Sequence, residues 1–340
     1  MTGTPPSFAE TPDRPAPGPD VLSEMLVAVR LTGSVFLNGT FTAPFGVISP
    51  QRWDDRTPIA RLRHVSVFHL VAEGRCTIEI ENGERQSVSA GDILLMPFTQ
   101  EHKFWDGDAQ TFAHANDIVR PGPIEGMWTI DHGGGGPATR LVCGFLESSE
   151  FLFAPVFRTL PKLLVERAAE DKVGALLATT VREILALVAT ASPGSQIMLG
   201  RLMELLFVEV LRRHIARLPA DSHGWLAALN DPVVGRALSL VHAAPARRWT
   251  VDDLAREAGA SRTVLAERFN ELLGRPPIDY VTGWRIQLAA DRLRGGGDSI
   301  AAIAADVGYE SEAAFNRAFK RVTGMTPGRW RSGDGAQAVQ

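Results

Sequence analysis

The sequence predicts a multidomain α+β chain with an all-β N-terminal half, a helical connector and an all-α C-terminal third. Three observations carry that prediction. Apolar runs between residues 20 and 147 are short and separated by dense turn signals, those after Pro161 recur at helical spacing, and a segment near the C-terminus repeats itself. The 340 residues exceed what one small domain needs, since domains usually hold about 100 to 200. Hydrophobic residues make up 45% and charged residues 22%, the composition of a chain that folds.

The elements follow in order. Residues 1–19 read as a disordered tail: six of the first twenty residues are proline, and no basic segment followed by an apolar one marks a secretory signal. In residues 20–161, Thr77-Ile78-Glu79-Ile80-Glu81 alternates and runs into Asn82-Gly83, the pattern of a strand entering a tight hairpin. Gly133 to Gly136 lacks the lysine and the helix of a phosphate loop and reads as a flexible connection. Residues 162–217 form the connector, with Leu176, Leu177, Val181, Ile184, Leu185 and Val188 on one helix. Ser192-Pro193-Gly194 breaks the chain before Met198, Leu202, Leu205, Leu206, Val208 and Leu211 resume the period. Such stripes suit domain core or a dimer surface. Residues 218–230 read as a linker, 231–331 as short helices beginning at the N-cap pattern Asp231-Pro232, and 332–340 as a tail.

Two cysteines without CxxC spacing, Cys76 and Cys143, point to a reducing compartment, the cytoplasm. The longest apolar stretches are short or interrupted by Arg201, Glu204 and Glu209, so no membrane partner is expected. The net charge of −4 is uneven: residues 246–340 carry 14 Lys and Arg against 12 Asp and Glu, the remainder 21 against 27. That tilt permits contact with nucleic acid without making a polybasic patch.

The repeat aligns Thr250-Val251-Asp252-Asp253-Leu254-Ala255 with Ser299-Ile300-Ala301-Ala302-Ile303-Ala304, and Ser261 to Gly274 with Ser311 to Gly324. Each copy has the logic of a helix-turn-helix: a capped helix with a small alanine for close approach, a glycine turn and a second capped helix. Leu265, Phe269 and Leu272 share the inner face of one second helix, and Phe315, Phe319 and Val322 that of the other. Thr263, Glu267 and Asn270 then face outward in the first copy and Ala313, Arg317 and Lys320 in the second, flanked by Arg262, Ala266, Glu312 and Asn316. Polar groups outward on a short helix suit major-groove reading, and a solvated face on two packing hairpins is the alternative.

This segment resembles the DNA-binding domain of the AraC/XylS family. The resemblance runs through Leu254-Ala255, Gly259, Ser261, Leu265 and Phe269, then Pro277, Tyr280, Arg285, Ala289 and Leu293, then Ile303-Ala304, Val307-Gly308-Tyr309, Phe315, Phe319-Lys320, Gly324 and Pro327. It implies two helix-turn-helix motifs on a shared linker helix, placing their second helices in successive major grooves of double-stranded DNA. Small Ala266 and acidic Glu267 depart from the longer or basic groups many relatives carry there. Glu267 could accept from cytosine N4 or pair with Arg268 or Arg262.

His69, the run Gly91-Asp92-Ile93-Leu94-Leu95-Met96-Pro97 and His102 resemble the two motifs of cupin barrels. The resemblance implies a cupin-like β-barrel over about residues 20–161, as in the sensor domains of one AraC-family branch. A small-molecule effector would then meet His69, Met96, His102 and Phe104 near the mouth of a cavity, with Trp105 adding apolar wall. Enzymatic cupins usually present three histidines and a glutamate, whereas Val67-Phe68-His69 lacks the partner histidine. The remaining set, His69, His102, His132 and Cys143, would favour zinc. The alternative makes His69 and His102 hydrogen-bonded pocket residues and Cys143 a small core hydrophobe. The function expected is therefore a one-component transcriptional regulator whose partners are DNA, a small molecule, RNA polymerase and a second copy of the chain. A cupin metalloenzyme with a helical assembly domain and a ligand-free architectural DNA binder are the alternatives.

Overall fold

The structure is a computed structural model describing residues 20–29, 31–62, 65–122, 124–148, 159–167, 175–190, 192–219 and 221–332. The tails read at 1–19 and beyond Ser332 lie outside these residues. The described chain forms two compact units, residues 26–227 and residues 20–25 with 228–332.

After helix α1 (Val21–Val29) come β1 (Leu31–Thr42), β2 (Phe45–Ser49), β3 (Val65–Glu73), β4 (Arg75–Ile80), β5 (Arg85–Ser89), β6 (Asp92–Met96) and β7 (His102–Asp106). Then follow β8 (Ala113–His114), the short helix α2 (Ala115–Ile118), β9 (Arg120–Pro121), β10 (Trp128–Gly133), β11 (Ala138–Ser148) and β12 (Leu164–Arg167). Seven strands make one sheet in the order β12-β6-β3-β11-β1-β10-β9, and five make another in the order β5-β4-β7-β2-β8. The barrel expected from the sequence is thus not closed. The edge strands β12, β9, β5 and β8 each have a hydrogen-bonded neighbour on one side only, and two of them are two residues long.

In β4 the alternation is clean: Cys76, Ile78 and Ile80 are buried and Arg75, Thr77 and Glu79 point away. The hairpin that follows closes with Gly83 N–H donating to Ile80 O at 2.8 Å, Gly83 taking φ +82°. β3 is buried on both faces instead. Val67 and Val71 enter the core with Leu141, Phe145 and the β4 residues, while Phe68 meets Phe207 edge-on at 6.2 Å. A register shift between Val35 and Leu37 lets the neighbours Phe36 and Leu37 both enter the core.

The other face of the large sheet is covered by α4 (Ser195–Arg217), which follows α3 (Ala175–Thr190) across the Ser192-Pro193-Gly194 break. A Cβ on Gly33 of β1 would stand 2.8 Å from Gly200 O, and one on Gly200 2.6 Å from Gly33 O, so strand and helix touch backbone to backbone. The segment read as a connector, 162–217, is built into this unit: β12 joins the sheet, and its buried Glu166 accepts from Arg213 (3.2 Å) and Arg217 (2.7 Å) of α4. The Gly133–Gly136 run is a packed turn and not a flexible connection. Gly134 and Gly136 donate to Thr42 O and Ala43 O at 2.8 Å each, and a Cβ on Gly133 would meet Thr42 O at 2.0 Å.

The stretch read as linker, 218–230, contains α5 (Trp225–Asn230), because Trp225, Leu226 and Ala228 have apolar surface to bury. Asp231 Oδ1 then accepts from the backbone of Val233 and Val234 at the start of α6 (Val234–Ala243). The repeat appears as α7 (Val251–Glu257) and α8 (Arg262–Leu273), then α10 (Ile300–Asp306) and α11 (Glu312–Thr323), joined by α9 (Pro277–Gly295), with α12 (Pro327–Arg331) closing the unit. All four helices of the two motifs are capped alike: the hydroxyls of Thr250, Ser261, Ser299 and Ser311 each accept from the backbone N–H three residues on.

α9 holds the motifs together through Arg285. Its guanidinium donates from Nε to Pro245 O at 2.7 Å, from Nη2 to Arg247 O at 2.7 Å and from Nη1 to Gly308 O at 3.2 Å. The first two carbonyls precede α7 and the third is the turn of the second motif. Gly308 has φ +87°, and a Cβ there would lie 2.5 Å from Ala246 O, so the turn sits on the same segment. Arg285→Met should therefore lower the urea unfolding free energy by about 2 to 4 kcal/mol, since three carbonyls lose a charged donor. Arg285→Lys should cost nearly as much, an ammonium being unable to span the three oxygens. A lysine variant unfolding at the parent's midpoint would show that charge alone suffices.

Candidate nucleic-acid interface

The second helices of the two motifs place their apolar stripes inward. Leu265 and Phe269 of α8 and Phe315 and Phe319 of α11 are fully buried, while Leu272 and Val322 are half-buried at the helix ends. On the opposite faces Arg262, Thr263, Glu267 and Asn270 are exposed on α8, and Glu312, Ala313, Arg317 and Lys320 on α11, with Ala266 and Asn316 half-buried beside them. Arg262 faces Asp252 at 3.5 Å and Arg268 pairs with Asp231, so neither takes up Glu267. Arg317 and Lys320 have no carboxylate partner among the described residues. Sequence reasoning missed Val264, which stands 40% exposed on α8. Its signal was its place off the Leu265, Phe269, Leu272 stripe.

In the β unit, the structure brings three of the four proposed metal ligands into contact and leaves one apart. Cys143 Sγ lies 2.7 Å from His69 Nδ1, His69 Nε2 lies 3.0 Å from His102 Nε2, and His102 Nδ1 lies 2.9 Å from Gln100 O. One placement of protons satisfies every contact. His102 Nδ1–H donates to the Gln100 carbonyl and its Nε2 accepts from His69 Nε2–H, which leaves His69 Nδ1 to accept from the Cys143 thiol. All groups are then neutral, as their surroundings require. Burial holds His69 well below the ordinary histidine range and His102 at about 4, and it pushes the Cys143 thiol far up. Gln100, whose backbone carbonyl ends the chain, carries no side-chain signal that sequence could have shown.

Zinc does not fit these donors. His69 turns its two nitrogens to different partners, so the three side chains form a line and not a cage. His132 is on β10, separated from the β3 of His69 by β11 and β1, and its partner Phe41 lies four residues along β1 from Leu37, the partner of Cys143. With strands about 4.8 Å apart and residues about 3.3 Å apart, His132 is roughly 20 Å away. Among the described residues no group of three or more His, Cys, Asp or Glu is placed to hold a metal ion.

The residues proposed for an effector do not stand at a mouth. His69, Met96, His102 and Phe104 are 2%, 0%, 2% and 3% exposed, and Phe104 packs edge-on against both imidazoles at 4.8 and 5.0 Å. Trp105 points to the other face of its strand, under Arg85 and against Phe112. Since the unfolded chain takes up protons before the buried imidazoles do, stability should be whole above pH 6.5 and fall from there toward about 4. His102→Gln should make that fall shallower by up to about 3 kcal/mol, read from urea midpoints between pH 4.5 and 7.5. Parallel pH profiles for variant and parent would refute the neutral pair.

Comparison with known proteins matches these two units to two families. The Cupin family matches residues 20–216 and the Helix-turn-helix domain family residues 254–333. A putative AraC-like transcription regulator of Streptomyces lividans is 34% identical over 324 residues, covering 92% of this chain and 96% of the relative. Another, of Streptomyces antibioticus, is 33% identical over 327 residues, 92% and 97% of the two chains. The HTH-type transcriptional regulator AlkR of Acinetobacter baylyi is 30% identical over 279 residues, 78% and 87%. These relatives are named as transcription regulators, and the chain belongs with them to the AraC-like family of DNA-binding transcription regulators.

Proposed function

We propose that α8 and α11 enter successive major grooves on one face of double-stranded DNA, with Arg262, Thr263, Ala266, Glu267 and Asn270 toward the first and Glu312, Ala313, Asn316, Arg317 and Lys320 toward the second. The observation that carries this reading is α11: its inner face is sealed by Phe315 and Phe319, and its outer face holds Arg317 and Lys320 exposed and without carboxylate partners among the described residues. α9 supports it, since 19 residues at 1.5 Å each span about 28 Å, close to the roughly 34 Å turn of B-DNA.

The cupin-type unit is the seat of effector control in this reading. A small molecule entering between the sheets must replace the hydrogen bonds of the Cys143, His69 and His102 chain, and it shifts DNA affinity only by binding one arrangement of the protein better than another. A second copy of the chain fits the outer side of α4, where Ile197, Met198 and Leu205 are 69%, 52% and 39% exposed. No helix among the described residues is long and apolar enough to cross a membrane, which agrees with a regulator working in the cytoplasm and meeting RNA polymerase on DNA.

Arg317→Ala should cost about 1 to 3 kcal/mol in binding and relax one base position, measured by competition among duplexes varied at single positions. A uniform loss across all duplexes would make Arg317 a phosphate contact. Ile197→Glu with Leu205→Glu should give a monomer in sedimentation at concentrations where the parent is a dimer. A variant that sediments as the parent does removes α4 as the dimer surface.

A further inference from the structure

The two motifs have the same fold and different electrostatics. In the first, residues 250–274 hold three arginines against five Asp and Glu. Each arginine faces a carboxylate: Arg256 with Asp253 at 2.6 Å, Arg262 with Asp252 at 3.5 Å, Arg268 with Asp231. Glu267 and Glu271 remain exposed on α8 without a cationic partner among the described residues. In the second, residues 299–324 hold three Lys and Arg against three Asp and Glu. Here two of the three carboxylates are paired from outside the motif, Asp306 by Arg292 of α9 at 2.8 Å and Glu310 by Arg248, and Glu312 at the start of α11 stays exposed without a cationic partner among the described residues. Arg317, Lys320 and Arg321 of α11 are left without carboxylate partners among the described residues, and exposed Arg329 of α12 follows.

We infer that the motifs divide their work: Lys320 and Arg321 of the second anchor the protein to phosphate around the base contact of Arg317, and the first adds discrimination without attraction through Glu267, which selects a cytosine amino group in its groove. This rests on the reading of α8 and α11 as the groove helices. Phosphate attraction scales with the cations free to replace counterions, and within the two motifs these stand on α11. α8 offers no such attraction: a carboxylate brought against guanine O6 and N7, or thymine O4, meets only acceptors and is repelled, and beside the adenine N6 donor it meets the N7 acceptor, whereas cytosine N4 presents a donor with no acceptor of its own base beside it. Arg285 fixes both motifs on α9, so α8 is carried into its groove by the anchoring of α11 and seats only where the base suits it.

The test selects duplexes from a randomised pool with the full chain, its Glu267→Gln variant and its Lys320→Ala variant. The parent should enrich a site with cytosine favoured about tenfold at one position of one half. Glu267→Gln should enrich the same site with that single preference lost, and should bind random duplex more tightly than the parent. Lys320→Ala should weaken selected and random duplex alike and lower the slope of log affinity against log salt by about 1. An unchanged cytosine preference in Glu267→Gln, or weaker binding of that variant to random duplex, overturns the division of labour while leaving the groove reading in place. If neither variant alters binding at all, the groove reading fails and this inference with it.

Discussion

One guanidinium ties the two motifs to the helix between them. Each motif alone is a pair of short helices with little to bury, and two such pairs on a chain of this length would wander. Arg285 prevents that by drawing the segment before α7 and the turn before α11 onto the same side of α9 with three hydrogen bonds. In the proposed placement of α8 and α11, one helix on DNA presents the other at one distance and one rotation, so its binding becomes an intramolecular event at high effective concentration.

The N-terminal unit obeys a different constraint, the need to bury polar groups without charge. Its large sheet is covered by α4 on one face and by the small sheet's side chains on the other, so His69 and His102 are buried among apolar groups. They remain because each nitrogen has a partner and the last proton goes to a backbone carbonyl. Charged Glu166 is equally buried, and there the solution is two arginines from α4.

Much of the C-terminal unit was legible because its signals are local. Thr250, Ser261, Ser299 and Ser311 cap helices that begin where the repeat places them, and the buried stripes of α8 and α11 fall at the spacing the sequence shows. Arg285 matched a family pattern, but its bridging role was hidden, since its acceptors are backbone carbonyls far away in the chain. In the N-terminal half, strand character and the Asn82-Gly83 hairpin were visible, whereas closure was not: whether edges pair is settled by strands remote in sequence. The glycine run from Gly133 looked loose because glycine serves equally for freedom and for close approach, and only the nearness of Thr42 and Ala43 tells which. The line of Cys143, His69 and His102 depends on β3 lying beside β11 in register, so the residue types were legible and their order was not. Trp225, Leu226 and Ala228 were an apolar cluster inside a polar stretch, a signal present but outweighed by the turn residues around it.

The contact between Gly33 and Gly200 governs how the sheet and its helix can move. Most helices rest on side chains, which give way by changing rotamer, and a strand beneath can flex without the helix following. Here carbonyl oxygens of β1 and α4 take the place of that cushion. At that contact α4 has no room to sink toward the sheet, and a displacement of β1 would press on the helix backbone directly. Strain that displaced β1 would thus be passed to α4 with no rotamer change at that point to absorb it.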